Sequence, residues 1–275
     1  MTQALQPLYD PREAAAVAKY YHEHLTGWEQ WSLPLHYGDA LTEAQHRQRQ
    51  QDLLQMAQGA PVQYVMEQAD FYGRRFQVTP DVLIPRPETE ELVLMAIREL
   101  SGRKEPKVWD VGTGSGCIAV TIAAEMPGAQ VFATDISEKA LAVAKGNAAR
   151  QQVAITFAQH DMRDHDALPF PDQHFDLIIS NPPYIPERDR QEMHRNVVEH
   201  EPEIALFVPD EDPLRFYQAI GRYATKALKA GGQLFFELNE RHANETKELL
   251  ADLGLANIII YKDQYGKDRF ISACK

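Results

Sequence analysis

The chain has 275 residues, 44% of them hydrophobic and 25% charged, and a formal net charge of −12. That length suits one large domain or two smaller ones with a sizeable core, and the acidity argues against the dense basic face that long nucleic acid requires. No apolar run approaches the ~18 residues of a membrane helix, no secretory signal opens the chain, and Cys117 and Cys274 have neither disulfide nor metal-ligand spacing, so we expect a cytoplasmic protein without metal, membrane or direct nucleic-acid contacts.

Residues 1–68 read as a small helical domain. "PREAAAVAKYYHEHLTGW" places Ala15, Ala18, Tyr21, His22 and Leu25 at helical spacing, with Gly27 as the stop. "LTEAQHRQRQQDLLQMAQGAP" opens on Thr42 as an N-cap and closes at Gly59 and Pro61. Leu41, Ala44, Leu53, Met56 and Ala57 form its expected apolar stripe. Tyr20, Tyr21, Trp28 and Trp31 are expected in the core of this domain. Residues 69–87 read as a linking β-hairpin: in "DFYGRRFQV", Gly73 separates two aromatic, strand-like runs. Pro80, Pro85 and Pro87 stiffen its exit.

Residues 88–275 read as the larger domain. A helix with an acidic first turn runs from Glu88 to Leu100. From Lys107 onward, strands ("KVWDVG", "QVFATDIS", "AITFAQHD", "FDLIISN", "QLFFELN") alternate with helices. This pattern predicts an α/β fold with a mostly parallel, Rossmann-like sheet covered on both faces. "ANIIIYKD" and "RFISACK", joined by "QYGKD", read as a C-terminal antiparallel hairpin at the sheet edge. Gly231 and Gly232, after "DPLRFYQAIGRYATKALKA", read as the end of a helix.

"DVGTGSG" follows the first of these strands and opens a helix, spacing Gly112, Gly114 and Gly116 as G-x-G-x-G. Glycines let the backbone turn sharply and lie close to a ligand. The loop lacks the lysine of a triphosphate P-loop, and its third glycine comes too early for the pyrophosphate fingerprint. Asp110 stands before the first glycine, and Asp135 ends the second strand, where a carboxylate can accept both hydroxyls of a ribose. This pattern resembles the S-adenosylmethionine loop of class I methyltransferases, whose cofactor is cationic and carries no phosphate. Thr113 and Ser115 belong to the same loop. Asp161, after the third strand, is a candidate acceptor for an adenine amino group, and Met162 a candidate to pack on the ring. His160 and His165 flank this loop, where we expect surface or packing roles.

"FDLIISNPPYIPE" brings Asn181, Pro182, Pro183 and Tyr184 to the same sheet edge. The prolines stiffen the turn and remove two donors. A turn carbonyl and the Asn181 amide oxygen can grip both hydrogens of a planar –NH₂ group, with Tyr184 against its plane. Such a nitrogen is a poor nucleophile, and orientation with preorganised acceptors is what it requires. The motif alone leaves the target open between adenine, cytosine and guanine amino groups and a glutamine amide.

"LIPRPETEELV", "DVGTGSG", "SNPPYIP" and "KDQYGKDRF", with "HLTGW", "QGAPVQYV" and "FYGRRFQV", resemble the PrmC/HemK family of peptide chain release factor glutamine N5-methyltransferases over nearly the whole chain. The resemblance implies methyl transfer from S-adenosyl-L-methionine to the glutamine of the Gly-Gly-Gln motif of class 1 peptide chain release factors. It implies that the residues from Gly112 to Gly116 and Asp135 hold the cofactor, and that Asn181 contacts both cofactor and substrate. Pro182, Pro183 and Tyr184 would complete the glutamine pocket. The helical domain, Arg86 and Glu88 would position the release factor. We expect a monomer. The chain departs from the family in carrying Met162 where an aromatic often follows the acid.

Overall fold

The computed structural model describes residues 1–6, 8–28, 31–36, 38–164 and 168–275. In chain order, the elements begin with helices α1 (Thr2–Leu5), α2 (Pro11–Thr26), α3 (Glu43–Ala57) and α4 (Val62–Val65), then strands β1 (Gln68–Phe71) and β2 (Arg74–Gln77). Next come α5 (Pro87–Leu100), β3 (Lys107–Val111), α6 (Cys117–Glu125), β4 (Gln130–Asp135), α7 (Glu138–Arg150), β5 (Ile155–Gln159) and β6 (Phe175–Ser180). The chain continues through β7 (Ile185–Pro186), α8 (Arg195–His200), β8 (Phe207–Val208), α9 (Arg215–Ala227), β9 (Leu228–Glu237), α10 (Ala243–Asp252), β10 (Ala256–Lys262) and β11 (Asp268–Cys274). It forms two compact units, residues 1–68 with 193–200, and residues 69–192 with 201–275.

In the first unit, the Asp10 carboxylate caps α2 by accepting the Arg12 N–H at 2.8 Å and the Glu13 N–H at 3.0 Å. Gly27, at φ +73°, ends that helix in the left-handed conformation. Thr42 and Gln45 form a reciprocal capping box on α3. The core gathers Leu5, Ala14, Tyr21, Met56, Val62 and Met66. Two expectations shift here. Ala14 is buried while Ala15 is exposed, and on α3 the buried pair is Asp52 and Met56, with Ala44 and Ala57 exposed. The reason is polar: Tyr21 O–H donates to Asp52 Oδ2 at 2.7 Å, so an acid sits where an apolar stripe was expected. Trp31 is 73% exposed and lies outside the core. Helix α8 adds to this unit, where the Asn196 side-chain amide donates to the Tyr9 hydroxyl and the Tyr9 ring stacks on His194.

In the second unit, Tyr72 and Gly73 turn β1 into β2 with φ of +51° and +69°, the conformation of the tight hairpin turn whose twist matches the strands. The Glu90 carboxylate steadies it by accepting the Tyr72 N–H at 2.8 Å. The main sheet has the order β10-β11-β9-β6-β3-β4-β5. β3 pairs in parallel with both β4 and β6, and only β11 runs against its neighbours, β9 and β10. All six residues of β6 are buried, because α5 and α6 cover one face of the sheet and α9 and α10 the other. The chain winds outward from β3 to β5, then returns to β6 on the other side of β3. The crevice at the carboxyl ends of β3 and β6 is therefore the topological switch point, where ligands bind in such sheets.

The Gly231-Gly232 reading is corrected. α9 stops at Ala227, and β9 begins at once because Leu228 pairs with Phe175. The glycines lie in an irregularity inside β9, between the Phe175–Leu228 and Leu177–Gln233 pairs. A Cβ on Gly232 would meet the Phe175 and Lys229 carbonyls at 3.0 Å, so a side chain there would crowd the strand backbone.

Candidate active site

The site starts at the end of β3. Gly112 and Thr113 both donate their N–H to the Thr134 carbonyl at 2.9 Å, which folds the loop over β4. Gly112, Gly114 and Gly116 all have positive φ. Gly116 opens α6 close against α7: a Cβ there would lie 3.1 Å from Ala144 Cβ and 3.2 Å from its Cα. Asn147 of α7 locks the loop by donating to the Ser115 carbonyl at 2.8 Å. Thr113 O–H donates to Asp110 Oδ2 at 2.6 Å. Asp110 is fully buried, and burial pushes its pKa up to about 7.

Asp135 accepts the Gly114 N–H at 2.9 Å on one oxygen and the Ser137 N–H at 2.9 Å on the other. Burial raises its pKa, and these backbone donors oppose the rise. Each oxygen keeps a further lone pair for a hydroxyl. Met162 is buried, and its methyl would lie 3.2 Å from a Cβ on Gly112. The structure brings Gly112, Gly114, Asp135, Met162, Asn181 and Pro183 together around one cleft. Asp161 is not on its wall. Its carboxylate is occupied by Arg163, with Nη2 at 2.6 Å and Nε at 2.9 Å, and that pairing holds its pKa below the usual carboxylate range. His160 bonds the Tyr223 hydroxyl at 2.8 Å, and His165 lies outside the described residues.

At the end of β6, Ser180 O–H donates to the Val111 carbonyl at 2.6 Å and ties this strand end to β3. Asn181 Nδ2 donates to Thr89 Oγ1 at 3.2 Å. Tyr184 O–H donates to Glu237 Oε1 at 3.0 Å, and Asn239 Nδ2 donates to the Tyr184 carbonyl at 3.0 Å. Burial, then the Glu237 charge, raise the Tyr184 pKa well above its ordinary value, so the phenol stays a donor. Arg86 pairs with the buried Glu201 at 2.6 Å, and Glu201 also accepts the Ile84 N–H at 3.2 Å. Arg86 thereby anchors the loop that leads into α5. Glu88 sits half-buried in the first turn of α5.

Sequence reasoning passed over Thr89, Glu201, Glu237 and Asn239. One signal was available for Glu237: like Asp135, it is an acid at the carboxyl end of a strand in the sheet.

The residues fit S-adenosylmethionine. Gly112 and Gly114 leave room for close approach, Asp135 keeps acceptor capacity for a ribose and suits a cation better than a pyrophosphate, and Met162 gives an apolar wall. A larger cavity in the first unit, bordered by Tyr21, His22, Trp28 and His36, contains none of these residues.

Fold and site define a class I S-adenosylmethionine-dependent methyltransferase. Residues 1–66 match the PrmC N-terminal domain family, and residues 108–200 match a methyltransferase domain family. A release factor glutamine methyltransferase of Flavobacterium psychrophilum is 42% identical over 98% of this chain and 94% of that protein. Its namesake in Bacteroides thetaiotaomicron is 37% identical over 98% of this chain and 96% of that one. Among solved structures, a methyltransferase from Pyrococcus furiosus superimposes with a TM-score of 0.53 at 19% identity, covering 82% of this chain and 98% of its own. The Thermus thermophilus 16S rRNA N2 G1207 methyltransferase gives 0.54 at 18% identity, covering 76% and 49%. Both share the fold. The chain belongs to the release factor glutamine methyltransferase family.

Proposed function

We propose that the protein transfers a methyl group from S-adenosylmethionine to the side-chain amide nitrogen, N5, of the glutamine in the Gly-Gly-Gln motif of class 1 peptide chain release factors. The observation that carries this reading is Asn181. It borders the same cleft as the glycine loop and Asp135, and its amide nitrogen is already engaged by Thr89. Its amide oxygen is therefore the group left to accept a substrate N–H. Relatives named for this reaction across nearly the full chain support the glutamine over a nucleobase, as does the net charge of −12.

The chemistry follows from the turn. Bound in the cleft, S-adenosylmethionine supplies an electrophilic methyl on a sulfonium. Gly112 and Gly114 would give it close backbone approach, Asp135 would hold its ribose and Met162 would pack its adenine, with Thr113, Ser115 and Gly116 shaping the loop. Asn181 Oδ1 and a carbonyl of the Asn181–Pro182 turn accept the two N–H bonds of the glutamine amide. The amide lone pair is delocalised, so these acceptors orient it and favour positive charge on nitrogen as it becomes tetrahedral. Once methylated, the cationic nitrogen is acidic and gives its proton to water, so no strong base is required beforehand. Pro182 and Pro183 keep the turn rigid, and Tyr184, tied to Glu237, flanks the amide plane. Arg86, Glu88 and residues 1–68 serve the release factor.

The reading carries a monomeric, cytoplasmic enzyme that touches no nucleic acid directly. Among the described residues, no helix is long and apolar enough to cross a membrane. Incubating a class 1 release factor with the protein and S-adenosylmethionine, then mapping the peptides by mass spectrometry, tests it. A single methyl on the Gly-Gly-Gln glutamine is expected. Label that enters only RNA or DNA offered in parallel would overturn it.

A further inference from the structure

Beyond the residues that face the cleft, a buried chain of hydrogen bonds runs from Glu237 of β9 through Thr89 of α5 to Asn181. Thr89 O–H donates to Glu237 Oε2 at 2.7 Å, and Asn181 Nδ2 donates to Thr89 Oγ1 at 3.2 Å. The other Glu237 oxygen accepts Tyr184 O–H at 3.0 Å. Glu237 is 2% exposed and Thr89 is 2% exposed, so water does not substitute for either partner. We infer that Glu237 and Thr89 are positioning residues that set the polarity of Asn181, holding its side-chain oxygen toward the substrate nitrogen. The inference rests on the glutamine reading above.

An ionised carboxylate only accepts, whereas a hydroxyl has a single hydrogen to give. With Glu237 ionised, the Thr89 hydrogen is committed to it, and Thr89 can only accept from Asn181. That fixes which end of the amide faces Thr89. If the amide turned over, two lone pairs would meet and a buried polar group would be left unpaired. Protonating Glu237 reverses the chain. Its O–H can then donate to Thr89, the Thr89 hydrogen turns to Asn181, and the amide presents N–H to an incoming N–H.

The charged and titratable groups around Glu237 are Tyr184 after β6, Arg269 of β11, Glu88 of α5, Cys117 of α6 and Tyr217 of α9. Burial raises the Glu237 pKa, Glu88 adds to the rise, and Thr89, Tyr184 and Arg269 oppose it. The active polarity is therefore present at high pH and lost as pH falls through the Glu237 pKa.

The test compares Thr89→Val, Thr89→Ser and Glu237→Gln in the full chain. With a class 1 release factor as substrate, T89V is expected to lower kcat about tenfold or more, with the S-adenosylmethionine Kd within about twofold of wild type and T89S restoring turnover. The side-chain amide resonances of Asn181, assigned by their loss in Asn181→Asp, read the polarity without turnover. They are expected to shift with pH in wild type, to lose the component due to Glu237 in E237Q, and to move in T89V. If T89V leaves both turnover and those resonances unchanged, the inference fails. If wild type methylates no glutamine, the functional reading fails, while the amide resonances still judge the polarity.

Discussion

Substituting alanine for each glycine of the loop in turn separates backbone strain from crowding within one motif. All three have positive φ, +75° at Gly112, +54° at Gly114 and +82° at Gly116, so each alanine costs about 1–2 kcal/mol from the left-handed backbone alone. The surroundings differ. Nothing lies within 4 Å of a Cβ on Gly114, so its cost stops there. At Gly116 the new methyl meets Ala144 Cα at 3.2 Å and Cβ at 3.1 Å. A helix backbone cannot swing aside, and overpacking adds about 1–3 kcal/mol. The expected loss for Gly116→Ala is about 2–5 kcal/mol, or roughly 5–15 °C in Tm for a unit of this size. At Gly112 the obstacle is the Met162 methyl at 3.2 Å, the far end of a flexible side chain. Gly112→Ala should therefore resemble Gly114→Ala in stability but displace Met162 and weaken cofactor binding more. Thermal and urea unfolding, with calorimetric titration of S-adenosylmethionine, measure both quantities. Equal destabilisation at Gly114 and Gly116 would refute the reasoning.

Three further outcomes are expected. Asn181→Ala should lower kcat by roughly 10²–10³-fold while the cofactor Kd stays close to wild type; near-normal turnover in rapid-quench assays would remove the turn from the chemistry. Asp135→Ala should weaken S-adenosylmethionine binding by about tenfold or more, because it removes the ribose acceptor and strands the Gly114 and Ser137 N–H groups; an unchanged calorimetric Kd would exclude the role. Asp110, raised to about 7 by burial, keeps its proton longer in the folded chain than in the unfolded one, where it titrates near 3.8. The stability this gives is full below the unfolded pKa and is lost as pH rises through the folded value. Asp110→Asn does not titrate, so its stability relative to wild type should improve from pH ~4 to ~7; parallel urea-unfolding curves over that range would count against it.

The elements that the sequence made legible are those whose signals are local. The β/α alternation, the Gly112–Gly116 loop, Asp135 at a strand end and the Asn181–Tyr184 turn all lie within short windows, and period and residue type mark them. Thr89 and Glu237 were not legible. They stand 148 positions apart and meet only because α5 packs over the end of β9, and a threonine in a helix carries no mark of its partner. Asp52 and Glu201 show the same blindness: a buried acid reads as a surface acid until its partner, Tyr21 or Arg86, is in place. Gly231 and Gly232 misled for a related reason. Two glycines after a helix are a valid stop signal, but pairing of Leu228 with Phe175 across the sheet overrode it.

The return of residues 193–200 to the first unit bears on how the molecule can be dissected. A cut after residue 68 yields a fragment without Asn196, which bonds Tyr9, and without His194, which stacks on it. Covalent order and physical membership disagree there. An amino-terminal fragment made for binding studies should carry residues 193–200 as a grafted tail, or its behaviour will report a missing piece of its own interior.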